Sequence, residues 1–104
     1  MREGKSEQTL LKGRNAQLIL HLHESRSSFW REKWDVPASL TQPEIAKAMN
    51  IVRSNVSKYI HGLVADGYVE IETKHILENN GRKKSAYFLT SKGIQMADSL
   101  LKTI

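Results

Sequence analysis

Between Thr41 and Gly67 the sequence writes two short helices with almost nothing between them. Thr41-Gln42-Pro43-Glu44 has the Thr-x-x-Glu spacing of a capping box. In that arrangement the threonine oxygen accepts from the N–H of Glu44, and the glutamate reaches back to the N–H of Thr41. Pro43 falls in the first turn, where a missing N–H does no harm. Ile45, Ala48 and Met49 then give one apolar face, and Asn50 is a natural stop. After Ile51-Val52 a second helical pattern runs over residues 53–65, with Val56, Ile60, Leu63 and Val64 sharing a face. Asp66-Gly67 ends it, the glycine supplying the left-handed cap. Two short helices joined by a tight turn leave few arrangements, and the flanking segments decide among them.

Downstream, Tyr68-Val69-Glu70-Ile71-Glu72 alternates apolar and charged residues, as a half-buried strand does. Asn79-Asn80-Gly81 is a turn signal, and residues 85–89 read as the partner strand. The two strands predict a hairpin with a basic tip, Arg82-Lys83-Lys84. Thr90 then caps a last helix from Ser91 to about Lys102, whose apolar residues include Ile94, Ala97, Leu100, Leu101 and Ile104. Upstream, Leu11, Leu18 and Leu22, broadened by Leu10, Ile19 and Leu20, predict a first helix from Leu10 to near Glu24. Ser25–Ser28 reads as a break. Residues 29–34 follow no clear pattern, and read either as an extension of the first helix or as a short second one. Their aromatics Phe29, Trp30 and Trp34 are expected to close the core, and form a docking surface if exposed. Val36–Leu40 is too short and too proline-marked for a central strand but leaves room for an edge strand.

Length and charge narrow the class. The 104 residues fit one domain, 1–104, whose polar residues 1–9 are expected to fray. The net charge of +5 favours a polyanionic partner. There is no cysteine, which excludes disulfides, thiolate metal sites and cysteine nucleophiles. No apolar run approaches the roughly 18 residues of a membrane span, and the start lacks the apolar stretch of a secretory signal. No membrane association is expected, and the cytoplasm is the default location. Nothing at residues 100–104 marks a natural stop, so the front end of a longer regulator is an alternative reading.

The order helix, edge strand, helix, helix, hairpin, helix predicts an α+β fold, mainly α. It is a winged helix-turn-helix with a C-terminal helix and a two- or three-stranded wing sheet. Within residues 53–65, Ser54, Ser57, Lys58 and His61 are spaced i, i+3, i+4, i+7 and form one stripe. Val56, Ile60 and Leu63 lie roughly opposite. No carboxylate falls within this helix. Small hydroxyls permit close approach to a groove, and Arg53, Asn55 and Lys58 can hydrogen-bond to bases or phosphates. The helix N-terminus offers free N–H groups to a phosphate. Arg82, Lys83 and Lys84, in a wing over residues 79–86, can reach an adjacent groove or backbone, each releasing counterions. Taken singly, each feature also describes an ordinary solvated surface. Their combination points to double-stranded DNA.

The run Thr41-x-x-Glu44-Ile45-Ala46-x-Ala48-Met49, then Arg53-Ser54-Asn55-Val56-Ser57-Lys58-Tyr59-Ile60, then Leu63-x-x-Asp66-Gly67-Tyr68-Val69, resembles the core of prokaryotic winged-helix regulators. Those of the multiple-antibiotic-resistance repressor (MarR-like) type are the most similar. Gly81-Arg82-Lys83-Lys84 followed by Tyr87-Phe88-Leu89-Thr90-x-x-Gly93 resembles their wing and the start of their last helix. The likeness covers about residues 40–101. It implies a recognition helix at 53–65 and DNA contacts through Arg53, Ser54, Asn55, Ser57 and Lys58 and through the wing. Three features depart from the pattern. Val52 stands where Ser, Thr or Asp is usual, so the cap is expected to shift to Ser54. Gly62 sits inside the recognition helix at a cost of roughly 1 kcal/mol relative to alanine. The chain is also short for a family whose long terminal helices build the dimer.

Other functions fare worse. His21 and His23 are i, i+2 and lie on different sides of a helix, and no nucleophile motif or phosphate-binding glycine loop is present. No enzyme activity, cofactor or metal is expected. A protein-docking winged helix is the main rival. An RNA-binding variant would use exposed aromatics, of which Tyr59 is the one near the proposed groove face. A homodimer through the first and last helices is the expected form, because palindromic sites match two-fold proteins.

Overall fold

In a computed structural model, which describes residues 9–103, the first helix begins three residues later than the leucine periodicity predicts. Gly13 adopts φ of 59° and turns the chain into α1 (Gly13–Glu24), so Leu10 and Leu11 pack on the core from an extended lead. Leu18, Ile19 and Leu22 are its buried face. The polar residues 1–8, predicted to fray, and Ile104 lie outside the described residues.

The break at Ser25–Ser28 is made by Arg26, a left-handed residue with φ of 60°. It is followed by one helical turn, α2 (Ser27–Trp30). Asp35–Val36 then forms β1, a 3-10 turn covers Ala38–Leu40, and α3 (Gln42–Met49) and α4 (Arg53–Ala65) follow. Asn50, at φ of 55°, caps α3 in the left-handed region, where asparagine is tolerated. Gly67 does the same after α4 at φ of 84°, with Tyr68 N–H returning to the Leu63 carbonyl at 2.9 Å. β2 (Val69–Ile76), β3 (Arg82–Leu89) and α5 (Ser91–Lys102) complete the order.

The sheet has the order β1-β2-β3. β1 pairs in parallel with the far end of β2, Val36 opposite Ile76, and is the edge strand the proline suggested. β2 and β3 are antiparallel from Val69↔Leu89 to Ile76↔Arg82. Both run longer than the alternation indicates, because the ladder continues through Thr73–Ile76 and Arg82–Lys84. Leu18, Ile45, Val56, Ile60, Phe88 and Met96 meet in one core between helices and sheet.

Four sequence expectations need correction. Thr41 does not cap α3: its hydroxyl donates to the Ala38 carbonyl at 2.7 Å, because the preceding 3-10 turn brings that carbonyl beneath it. Glu44 pairs instead with Lys47 at 3.4 Å. The α4 cap does not shift to Ser54, since the helix starts at Arg53 with Val52 as an N-cap that offers no side-chain bond. The aromatics do not close the core: Phe29 is 49% and Trp34 57% exposed, and only Trp30 packs against buried residues.

Residues 25–34 are held across the sheet by polar contacts. Ser27 is buried, and its hydroxyl accepts from the Leu89 N–H at 3.1 Å. Lys74 on β2 is only 7% exposed, and its ammonium donates to the carbonyls of Arg31 and Lys33, both at 2.7 Å. Glu72 lies 3.4 Å from that ammonium, and Arg31 pairs with Glu70. A buried lysine is sustained only when its charge is so answered.

Candidate nucleic-acid interface

α4 is two-sided, as its sequence requires. Val56, Ile60 and Leu63 are buried, while Arg53, Ser54, Asn55, Lys58 and His61 are exposed and Ser57 is half-buried. Tyr59 is half-buried against the core, which removes it as a free stacking platform. The helix thus presents hydroxyls, an amide, a cation and an imidazole, with no carboxylate along it.

The wing cations are placed differently from the sequence expectation. The tip is the turn Leu77–Gly81, where Asn80 and Gly81 take φ of 53° and 71° and Gly81 N–H bonds the Ile76 carbonyl at 3.1 Å. Arg82, Lys83 and Lys84 are the first residues of β3, beside the tip rather than on it. All three are exposed. Strand alternation puts Arg82 and Lys84 on one face and Lys83 on the other.

The structure joins two of the predicted residues. Arg53, at the start of α4, and Lys84, on β3, line one cleft of about 330 Å³ with Thr41, Gln42, Pro43, Ser85 and Tyr87. Arg53 Nε donates to Gln42 Oε1 at 3.4 Å. Tyr87 is 5% exposed, and burial pushes its hydroxyl above the ordinary value of 10.0, while the Gln42 amide and the Arg53 charge pull it part of the way back. Gln42 and Tyr87 escape sequence reasoning because they are separated by the whole helix pair and meet only in the fold. Periodicity assigns them to a helix start and a strand and no more.

The remaining candidates stay apart from this region. His21 bonds the Ser39 carbonyl at 2.9 Å. Among the described residues no group of three or more His, Cys, Asp or Glu side chains is arranged to hold a metal ion. No described helix is long and apolar enough to cross a membrane.

Residues 35–75 match the MarR family model. No curated protein matches the sequence. Among solved structures the chain is similar to S. aureus MepR in complex with DNA, at 16% identity and a TM-score of 0.63 over 89% of this chain and 56% of that one. It is similar to S. aureus MepR bound to ethidium bromide, at 19% identity and a TM-score of 0.64 over 92% of this chain and 59% of that one. The zinc-dependent MarR-family regulator AdcR in its Zn(II)-bound state gives 22% identity and a TM-score of 0.54, over 91% of this chain and 55% of that one. The chain therefore spans little more than half the length of these structures. Likenesses at such identities concern the fold, and the family match adds the sequence of the helix-turn-helix with β1 and most of β2. The chain is a MarR-like winged helix-turn-helix, mainly helical, with a three-stranded wing sheet.

Proposed function

We propose that this chain binds double-stranded DNA and regulates transcription, with α4 entering the major groove and Arg82, Lys83 and Lys84 engaging the adjacent backbone or minor groove. The observation that carries this reading is the solvent face of α4. Arg53, Ser54, Asn55, Lys58 and His61 are all exposed on a carboxylate-free helix whose opposite face is fully buried. Such a face suits a groove lined with phosphate charge, and the fold is shared with a regulator whose complex with DNA is known. Binding as a homodimer through α1 and α5 accords with two-fold operators, and cytoplasmic residence with this role.

Fluorescence anisotropy with a labelled duplex across a salt series tests the reading. The wild type should bind more weakly as salt rises. Lys58→Ala and the triple variant Arg82→Ala/Lys83→Ala/Lys84→Ala should both bind less well, the triple variant with a shallower salt slope. A folded protein that fails to bind duplex at low salt refutes the proposal. In that event the exposed Phe29 and Trp34 favour a protein-docking role.

A further inference from the structure

Tyr87 sits where a merely structural aromatic has no reason to place a hydroxyl. Its side chain is almost wholly buried, yet it lines the cleft between α3, the start of α4 and β3. The polar group that faces it is the Gln42 amide. Gln42 Oε1 is turned to Arg53, so the amide nitrogen is the end left for the phenol oxygen. A donor there stabilises the phenolate, in keeping with the downward pull of Gln42 on this hydroxyl. With its oxygen turned to Arg53, the amide is placed to donate a hydrogen bond to the Tyr87 oxygen. Among the described residues no acceptor is bonded to the Tyr87 O–H.

The rest of the cleft has matching chemistry. Two cations line it, Arg53 and Lys84, and no carboxylate does. Glu44 and Glu78 stand on the neighbouring side of Lys84, each with a partner: Lys47 for Glu44, and the Ala38 N–H at 2.8 Å for Glu78. Ser85 adds an exposed hydroxyl. The Thr41 hydroxyl is committed to Ala38, so no side chain of the protein caps α3 where it borders the cleft.

A buried hydroxyl with a proton to give, two cations in a cleft that no carboxylate lines and a helix start without a side-chain cap suit a group that is both anionic and rich in acceptors. We propose that this cleft holds one phosphate group, with Arg53 and Lys84 neutralising it and Tyr87 donating its hydroxyl proton to a phosphate oxygen. Gln42 holds Arg53 and the phenol in register. The inference rests on the DNA-binding reading only for the source of the phosphate, which on that reading is the backbone. The chemistry is shared with a free phosphate ion, and the test separates the two.

The probes are inorganic phosphate and a labelled duplex, applied to the full chain and to Tyr87→Phe. Phosphate is titrated at constant ionic strength against the ¹⁵N-labelled protein. The wild type should show saturable shifts at the amides of Gln42, Arg53 and Ser85, and Tyr87→Phe should weaken them about 10-fold or more. Duplex affinity should fall in Tyr87→Phe by a similar factor with an unchanged salt slope, because no charge is removed, whereas Lys84→Ala should make the slope shallower by about 1. Tyr87→Phe should melt close to wild type, because the hydroxyl has no internal acceptor to lose and gives up only its contact with the Gln42 amide. Phosphate shifts without duplex binding uphold the cleft as a phosphate site and refute the DNA reading. Duplex binding that Tyr87→Phe leaves intact, without phosphate shifts, overturns the inference and spares the DNA reading. Tyr87→Phe melting well below wild type with phosphate affinity unchanged also overturns it, making the hydroxyl structural.

Discussion

Replacing Lys74 with methionine tests how residues 25–34 are held. Methionine keeps an unbranched stem over the Phe88 ring, which the lysine ammonium overlies at 5.6 Å, and deletes only the charge. Two hydrogen bonds from a charged donor are lost, those to the carbonyls of Arg31 and Lys33. At about 1.5–3 kcal/mol each the gross loss is roughly 3–6 kcal/mol. Both carbonyls belong to a segment at the surface and regain water when released, so the net cost should be about 2–3 kcal/mol. Glu72 keeps Arg31 at 3.9 Å and is itself partly solvated, adding little. For a domain of this length, 2–3 kcal/mol corresponds to a melting temperature lower by roughly 10–20 °C. Trp34 is the reporter: its ring meets that of His75 edge-on at 4.7 Å between centroids, and its carbonyl accepts from the His75 N–H at 3.1 Å. Freeing the segment should separate the two rings and change the tryptophan emission before the main transition. Lys92→Met is the control, because that exposed ammonium bonds the Asp66 carbonyl from solvent and should cost less than about 1 kcal/mol. If Lys74→Met shifts the melting temperature no more than Lys92→Met and leaves the emission unchanged, the segment is not anchored by Lys74 and the reasoning fails.

Two glycines should respond in opposite directions. At Gly93 an added Cβ would stand far inside contact distance of the Tyr68 carbonyl oxygen and 3.0 Å from Leu89 Cδ2, so Gly93→Ala should cost about 3 kcal/mol or more in urea unfolding. Gly62 is exposed within α4 and its Cβ position meets nothing within 4 Å, so Gly62→Ala should gain about 1 kcal/mol and raise the melting temperature by roughly 4–8 °C. Alkaline pH should also act through Tyr87. Its folded-state value is raised, so its share of stability is complete below the unfolded value of about 10 and is lost as pH climbs through the folded one. Melting curves from pH 9 upward should fall more steeply for wild type than for Tyr87→Phe, and parallel curves would show that Tyr87 is not so perturbed.

The parts of the fold legible in the sequence are those fixed by local chemistry. Asn50 and Gly67 end their helices as predicted, both in the left-handed region, and Thr90 caps α5 by accepting from the Gly93 N–H at 3.1 Å. The apolar face of α4 was visible in the spacing of Val56, Ile60 and Leu63, and so was its exposed face. Where a local signal failed, a distant or non-helical partner had outbid it. Thr41 has the spacing of a capping box, but the preceding turn offers its hydroxyl the Ala38 carbonyl. Residues 29–34 show no period because nothing periodic holds them: their partners are Lys74, Glu70 and Glu72 on β2. Of the candidate site, Arg53 and Lys84 were named separately. That they share a cleft with Gln42 and Tyr87 depends on how β3 passes the start of α3, which no spacing along the chain encodes.

The wing cations do not act as one basic tip. Lys84 is cross-strand from Lys74, the residue that anchors the segment behind the sheet. It also lines the cleft with Arg53, at the sheet edge that β3 forms. Lys83 is cross-strand from His75, on the opposite face, where Trp34 covers the imidazole. On the proposed reading Lys84 and Arg53 share one phosphate, which couples the wing to α4 through one charge. Lys83 and the flexible stem of Arg82 are left to reach whatever backbone the wing meets beyond it. On that reading the placement of these cations along β3, rather than their number, sets how the hairpin and α4 register on a duplex.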